Sequence, residues 1–255
     1  MKSKFISRER DYSVPCIYNI TGQEKIVCVI VHGFGGSKMS TTSAMMFEGL
    51  QPLGLGVISF DFPAHGDSEV DGEFLRVANC LADMEAAESL ARELAQEAEI
   101  VYFASSFGAY ITLIHLAEKK QRRYRAFLRS AAVSMPSLFD RFMPPEMKAH
   151  LETTGELFFD KDIYDYDRDL KLTQGFFDDL KGHDVFTIWQ KGLAELHMVH
   201  GEADETIPLS DAQSFANMFQ VPLTVVPNGD HRLSTPGAPE QVLKLAAEFF
   251  LGTMI

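Results

Sequence analysis

"YFASSFGAY", residues 102–110, closes one apolar run and opens another, with two adjacent serines and a glycine between them. Serine side chains are ordinarily exposed or used as helix caps, so a pair embedded in apolar sequence calls for another explanation. "EIVYFASS" (99–106) reads as a strand, and "FGAYITLIHLAEKK" (107–120) runs straight on as a helix. A nucleophile on so sharp a turn has strained backbone angles, and the residues two before and two after it must be small. Around Ser106 those places hold Ala104 and Gly108; around Ser105 they hold Phe103 and Phe107, which would clash. Ser106 is therefore the candidate nucleophile. Ser105 is its neighbour, a candidate for the pocket floor.

Outward from this turn the chain alternates. "KIVCVIVHGFGGS" (25–37) and "GVISFDFPAHGDS" (56–68) are apolar, β-rich runs ending in turn residues, the pattern of strands buried on both faces. Residues 76–98 are rich in Ala, Leu and Glu, without Gly or Pro, and read as a helix. Further strands are expected at 124–134, 196–204 and 222–231, with helices near 211–219 and 239–251. Strands alternating with helices imply a parallel sheet with right-handed crossovers.

One interval breaks the rhythm. About sixty residues separate the strand near 130 from the strand at 196, more than one crossover needs. The interval is dense in aromatics and acids, as in "ELFFDKDIYDYDRDLKLTQGFFDDL" (156–180). Residue by residue, Phe158, Phe159, Phe176 and Phe177 read as a satellite core of extra helices; as a whole, the segment reads as a lid over the strand ends. The expected division is a core of residues 1–134 and 191–255 with an inserted cap at 135–190.

Bulk composition narrows the functions. A net charge of −13, from 36 acidic and 23 basic residues, argues against nucleic acid or an anionic membrane as partner. No apolar run approaches the ~18 residues of a membrane span, and the N-terminus lacks the apolar stretch of a signal peptide. The expected setting is the cytoplasm. Cys16, Cys28 and Cys80 are scattered and odd in number, so neither a disulfide framework nor a metal site is expected.

A serine needs a base, and the base needs an acid to orient it. In an open parallel sheet ligands gather at the carboxyl ends of the strands. "PNGDH" places His231 after the last strand, and "HGEAD" places Asp204 after the one before it. Alone, an aspartate there is a turn residue and a histidine is surface. Together with the serine turn they make the chain order Ser106, Asp204, His231, the order of α/β-hydrolases. "HGFGGS" (32–37) follows the first buried strand, where glycines let the backbone approach a ligand closely. It lacks the Lys-Ser/Thr of a P-loop and the Gly-x-Gly-x-x-Gly of a dinucleotide fold. It is expected to supply one backbone N–H, from Phe34, toward a developing oxyanion, with Phe107 supplying the other.

With "HGFGGS", "DFPAHGDS", "ASSFGA", "HGEADETIP" and "NGDHR" in view, the chain resembles the α/β-hydrolases over about residues 14–252. Within them it is similar to bacterial cinnamoyl/feruloyl esterases and to monoacylglycerol lipase- and lysophospholipase-like serine hydrolases. The resemblance implies an α/β-hydrolase fold, a mostly parallel central sheet with helices on both faces and an inserted helical cap. It implies Ser106 as nucleophile, His231 as base and Asp204 as acid, with Phe34 and Phe107 as oxyanion donors and no cofactor. Ala104 and Ala64 stand where that pattern usually has glycine, and His32 and His65 read as structural hydrogen-bonders. Gly33, Ser105, Phe158, Phe159, Trp189 and Ile207 are the expected pocket residues. The expected substrate is a small acyl or aryl ester of hydroxycinnamoyl type. An amide or thioester on the same residues, or a non-catalytic binder of a small apolar ligand, are the alternatives. Apolar cap surface would also suit a homodimer.

Overall fold

Strands apolar on both faces need cover on both sides, and this chain provides it by alternating them with helices. The computed structural model describes residues 1–8, 12–119 and 124–253. Two strands open the chain, β1 (Lys2–Ser7) and β2 (Ser13–Asn19). There follow β3 (Ile26–Val31), α1 (Thr41–Leu50), β4 (Gly56–Phe60), α2 (Val77–Leu94), β5 (Glu99–Ser105), α3 (Phe107–Lys119) and β6 (Arg125–Arg129). The stretch 135–190 then carries α4 (Met135–Phe142), α5 (Pro145–Thr154), β7 (Glu156–Phe159), α6 (Lys161–Tyr164), β8 (Leu170–Thr173), α7 (Gln174–Leu180) and α8 (Val185–Ile188). The last elements are β9 (Glu195–Gly201), α9 (Leu209–Phe219), β10 (Leu223–Val226) and α10 (Ala238–Leu251).

The main sheet has eight strands in the order β1-β2-β4-β3-β5-β6-β9-β10. β1 and β2 pair antiparallel, β2 joins β4 antiparallel, and every other pairing is parallel. This is the α/β-hydrolase architecture that the sequence resemblance implied. One apolar cluster, with Cys28, Ile30, Phe103 and Phe127, is covered by α1 and α10. The larger one, on the opposite face, joins α2, α3 and α9 to residues of the 135–190 segment.

The expected strands and helices all appear, most of them shorter than the sequence runs that announce them. Residue 120, the expected end of the helix after Ser106, lies outside the described residues. Three features were not foreseen. β1 and β2 form an antiparallel edge; β1 is mostly exposed and carries Lys2 and Lys4, charges that blunt an unpaired edge but hide a strand from apolar-run reading. α1, "TTSAMMFEGL", begins with three poor helix formers. The inserted segment is not all helical: β7 and β8 make a separate two-stranded hairpin.

The turn after β5 follows the steric argument. Ser106 has φ 51°, in the left-handed region. A Cβ on Gly108 would be driven into the His32 and Val31 carbonyl oxygens, both rigid backbone. Ala104 is fully buried between Val31 of β3 and Leu128 of β6, where a methyl fits. Gly108→Ala should therefore lower unfolding free energy by at least about 2 kcal/mol through overpacking. Ala104→Gly should cost only about 0.5–1 kcal/mol, the penalty of glycine in a strand. Urea denaturation of the two variants checks this, and equal stabilities would contradict it.

Candidate active site

Parallel strands deliver their C-terminal ends to one edge of the sheet, and β5, β6, β9 and β10 bring the candidate residues together there. Ser106 Oγ lies 3.1 Å from His231 Nε2, and His231 Nδ1 lies 2.8 Å from Asp204 Oδ2. A carboxylate can only accept, so Nδ1 carries the proton and Nε2 is left to accept from the Ser106 hydroxyl. Asp204 is buried and well supplied with donors. Its Oδ1 accepts the Thr206 and Ile207 N–H groups at 2.9 and 2.7 Å, and His200 Nε2 lies 3.2 Å from Oδ2. Burial alone would raise its pKa, but the hydrogen bonds from His200 and His231 outweigh it and hold the carboxyl well below the usual carboxylate range.

The elbow itself is tied to β6. The Ser106 N–H donates to the Arg129 carbonyl at 2.9 Å, and the Ser106 carbonyl accepts from Ala109, Tyr110 and Ala132. The His231 carbonyl accepts from Arg129 Nη1 at 3.0 Å and Ser130 Oγ at 2.8 Å. Two consecutive residues thus fix both the serine and the histidine. The sequence reading singles out none of Arg129, Ser130 and His200. A charge at Arg129, in phase with the buried Phe127 along β6, was the available signal.

The glycine loop after β3 closes on the same point. A Cβ on Gly33 would lie 3.2 Å from Ser106 Cβ, so glycine lets the loop pass close to the elbow. The Phe34 and Phe107 N–H groups find no backbone acceptor among the described residues. Phe107 opens α3, where first-turn N–H groups lack intrahelical partners. Two buried histidines brace this loop. His32 Nε2 accepts the Phe62 N–H at 3.1 Å while Nδ1 donates to the Gly33 carbonyl. His65 Nε2 accepts the Gly35 N–H at 3.0 Å while Nδ1 donates to the Pro63 carbonyl. Both are structural, as read from the motifs. Ala64 has φ 65°, a left-handed conformation that glycine would adopt more easily.

Around the Ser106–His231 pair lies a cavity of about 420 Å³. Gly33, Phe34, Ser105, Ser106 and His231 line it, together with Tyr166 and Asp167 of the inserted segment. That segment is held down by specific contacts. The Asp167 N–H donates to the Gly35 carbonyl, Arg232 pairs with Asp165, and Arg168 donates to the Gly66 and Ser68 carbonyls. Four expected pocket residues do not line the cavity. Phe158 is 61% exposed because β7 alternates and turns it outward. Phe159, on the inward side, packs against Phe34, Tyr164 and Tyr166 as core. Trp189 is buried near Phe215 and borders a separate hollow beside the start of β9. Ile207 is buried and acts through its backbone, donating to Asp204 and accepting from His200.

Residues 28–245 match the alpha/beta hydrolase family, and the chain belongs to it. Several solved structures share its fold. A putative hydrolase from Agrobacterium vitis is 21% identical, with a TM-score of 0.79 and 98% of each chain covered. Est1E from Butyrivibrio proteoclasticus, solved with ferulic acid bound, is 19% identical, with a TM-score of 0.81 and 98% of each chain covered. Mouse alpha/beta hydrolase domain-containing protein 10 is 15% identical, with a TM-score of 0.78 and both chains fully covered. The sequence has no significant match among curated proteins. No helix among the described residues is long and apolar enough to cross a membrane.

The bracing histidines give the fold a pH dependence. Burial pushes His32 down to about 4; burial together with neighbouring His32 pushes His65 down to about 3. The unfolded chain, with ordinary histidines, takes up these protons first as pH falls. Their contribution is therefore fully present above about pH 6.5 and is lost as pH drops toward the folded values. Unfolding free energy should fall below pH 6 with a slope of up to about 1.4 kcal/mol per pH unit for each histidine. Urea titrations between pH 6.5 and 4.5 should show a shallower slope in His65→Gln than in wild type. Parallel slopes would contradict this.

Proposed function

We propose that this chain is a serine hydrolase that cleaves carboxylic esters of small acyl or aryl acids through an acyl-enzyme intermediate. The observation that carries the reading is the run of hydrogen bonds from Ser106 through His231 to Asp204, at 3.1 and 2.8 Å. The Ser106 oxygen attacks the ester carbonyl carbon as its proton passes to His231 Nε2, and the carbonyl pair moves onto oxygen. Buried Asp204 holds the imidazole in the Nδ1–H tautomer and offsets the positive charge it gains. Phe34 and Phe107 N–H receive the oxyanion; such donors typically lower the barrier by a few kcal/mol each. As the carbonyl reforms, the bond to the alcohol oxygen breaks and His231 gives that oxygen its proton. Water then repeats the sequence on acyl-Ser106, with His231 as base, and releases the acid.

The inserted segment, 135–190, is read as the cap of this site, because Tyr166 and Asp167 reach the cavity wall. A small substrate fits the cavity's size, and aryl acids fit an aromatic-lined mouth with Phe34 against Tyr166. Ferulic acid in the similarly folded Est1E supports that choice.

A panel of nitrophenyl and methyl hydroxycinnamate esters, graded by acyl size, tests the reading. Wild type should turn over the short or aromatic members. Ser106→Ala should lose essentially all of this activity while keeping its thermal unfolding midpoint. Asp204→Asn should lose about 10⁴-fold in kcat, since it admits the wrong imidazole tautomer. Undiminished hydrolysis by Ser106→Ala would refute the assignment.

A further inference from the structure

Away from the inserted segment, the cavity continues onto the α1/α10 side of the sheet, where it meets a cation with no counter-ion among the described residues. Arg129, the last residue of β6, is only 6% exposed. Its Nη1 donates to the His231 carbonyl and its Nη2 to Thr42 Oγ1 at 3.3 Å. Those bonds engage two of the five N–H donors of a guanidinium. Nε is buried and has no hydrogen-bond partner among the described residues. Asp204 and Asp230 attract the group only at a distance, and Asp204 is committed to its histidines. Burial lowers its pKa to about 10, which leaves it protonated at neutral pH. A buried cation is unfavourable unless an anion meets it.

Two further features face the same space. The first turn of α1 lines the cavity with Thr41, Thr42 and Ser43, contains no acidic residue and receives no side-chain cap. Its free N–H groups and the helix dipole favour negative charge. Ser105 lines the floor, one residue from the candidate nucleophile. The cavity's own carboxylates, Asp165 and Asp167, come from the inserted segment, and Arg232 pairs with the first.

We propose that Arg129 and the first turn of α1 form an anion subsite, so that the ester this chain cleaves carries a carboxylate. The carboxylate sits against the N–H groups of Arg129 Nη1 and Nη2 that His231 and Thr42 leave unengaged, while the ester carbonyl faces Ser106. The inference rests on the hydrolase reading and names its substrate class. A neutral ester of the same shape brings no anion to the Arg129 guanidinium, so discrimination comes from charge and not from size.

Matched pairs of esters test it. In one pair the acyl group ends in a free carboxylate or in its methyl ester; in the other, the alcohol group does. Wild type should favour the free carboxylate by about ten- to a hundredfold in kcat/KM in at least one pair. Arg129→Met should bring that ratio close to one, and Arg129→Lys should restore part of it. A purely positioning role, through the His231 carbonyl, would instead lower both members of a pair equally. Calorimetry on Ser106→Ala, with the intact esters as ligands, reads the subsite without turnover. Tighter binding of the carboxylate there, without hydrolysis by wild type, would keep the subsite and sink the hydrolase reading. Equal treatment of both members in both pairs by an active wild type would overturn the subsite and leave the hydrolase reading intact. If Arg129→Met does not fold, the wild-type ratios and the Arg129→Lys ratios decide.

Discussion

The site depends on one residue held in the left-handed region. Ser106, at φ 51°, spends of order 1–3 kcal/mol on a conformation that a non-glycine side chain avoids. Its surroundings over-determine it. The N–H is taken by Arg129, the carbonyl by Ala109, Tyr110 and Ala132, and Gly108 leaves room for the His32 carbonyl. The outcome is a hydroxyl lifted from the end of β5 toward His231. The strain is thus stored at the residue proposed as nucleophile, a role that needs a hydroxyl both accessible and rigid.

The same supports serve the rest of the constellation. The Arg129 backbone holds the serine, and the Arg129 and Ser130 side chains hold the histidine loop, so the two ends of the Ser106–His231 hydrogen bond share one anchor. Asp204 is buried, yet the N–H groups of Thr206, Ile207 and His231, with His200 Nε2 close by, keep it ionised. His32 and His65 work in the opposite sense, kept neutral so that each Nε2 can accept a backbone N–H and shape the glycine loop. Environment, more than residue type, separates half-buried His231 from the fully buried histidines around it.

Much of this was legible in the sequence, for a physical reason. The elbow is a local steric problem, and small residues at 104 and 108 solve it visibly. Buried parallel strands announce themselves as apolar runs, and their C-terminal ends place Asp204 and His231 without further information. What was not legible depends on tertiary neighbours. The charged edge strand β1, the poor helix formers opening α1 and the short β7–β8 hairpin have weak local signals. Aromatic content drew attention to Phe158, Phe159 and Trp189, but which face an aromatic presents is settled by strand phase and by what packs above it. Arg129 shows the converse: a charge at a buried phase of a strand is a stronger pointer to a site than another aromatic in an insertion.

On the proposed mechanism Ser106, and not the serine beside it, is the activated nucleophile. Treating the protein with a fluorophosphonate and mapping the adduct by peptide mass spectrometry tests this most directly. Stoichiometric modification of Ser106, lost in His231→Ala, is the expected result. Modification of Ser105, or no adduct on a folded protein, would contradict it.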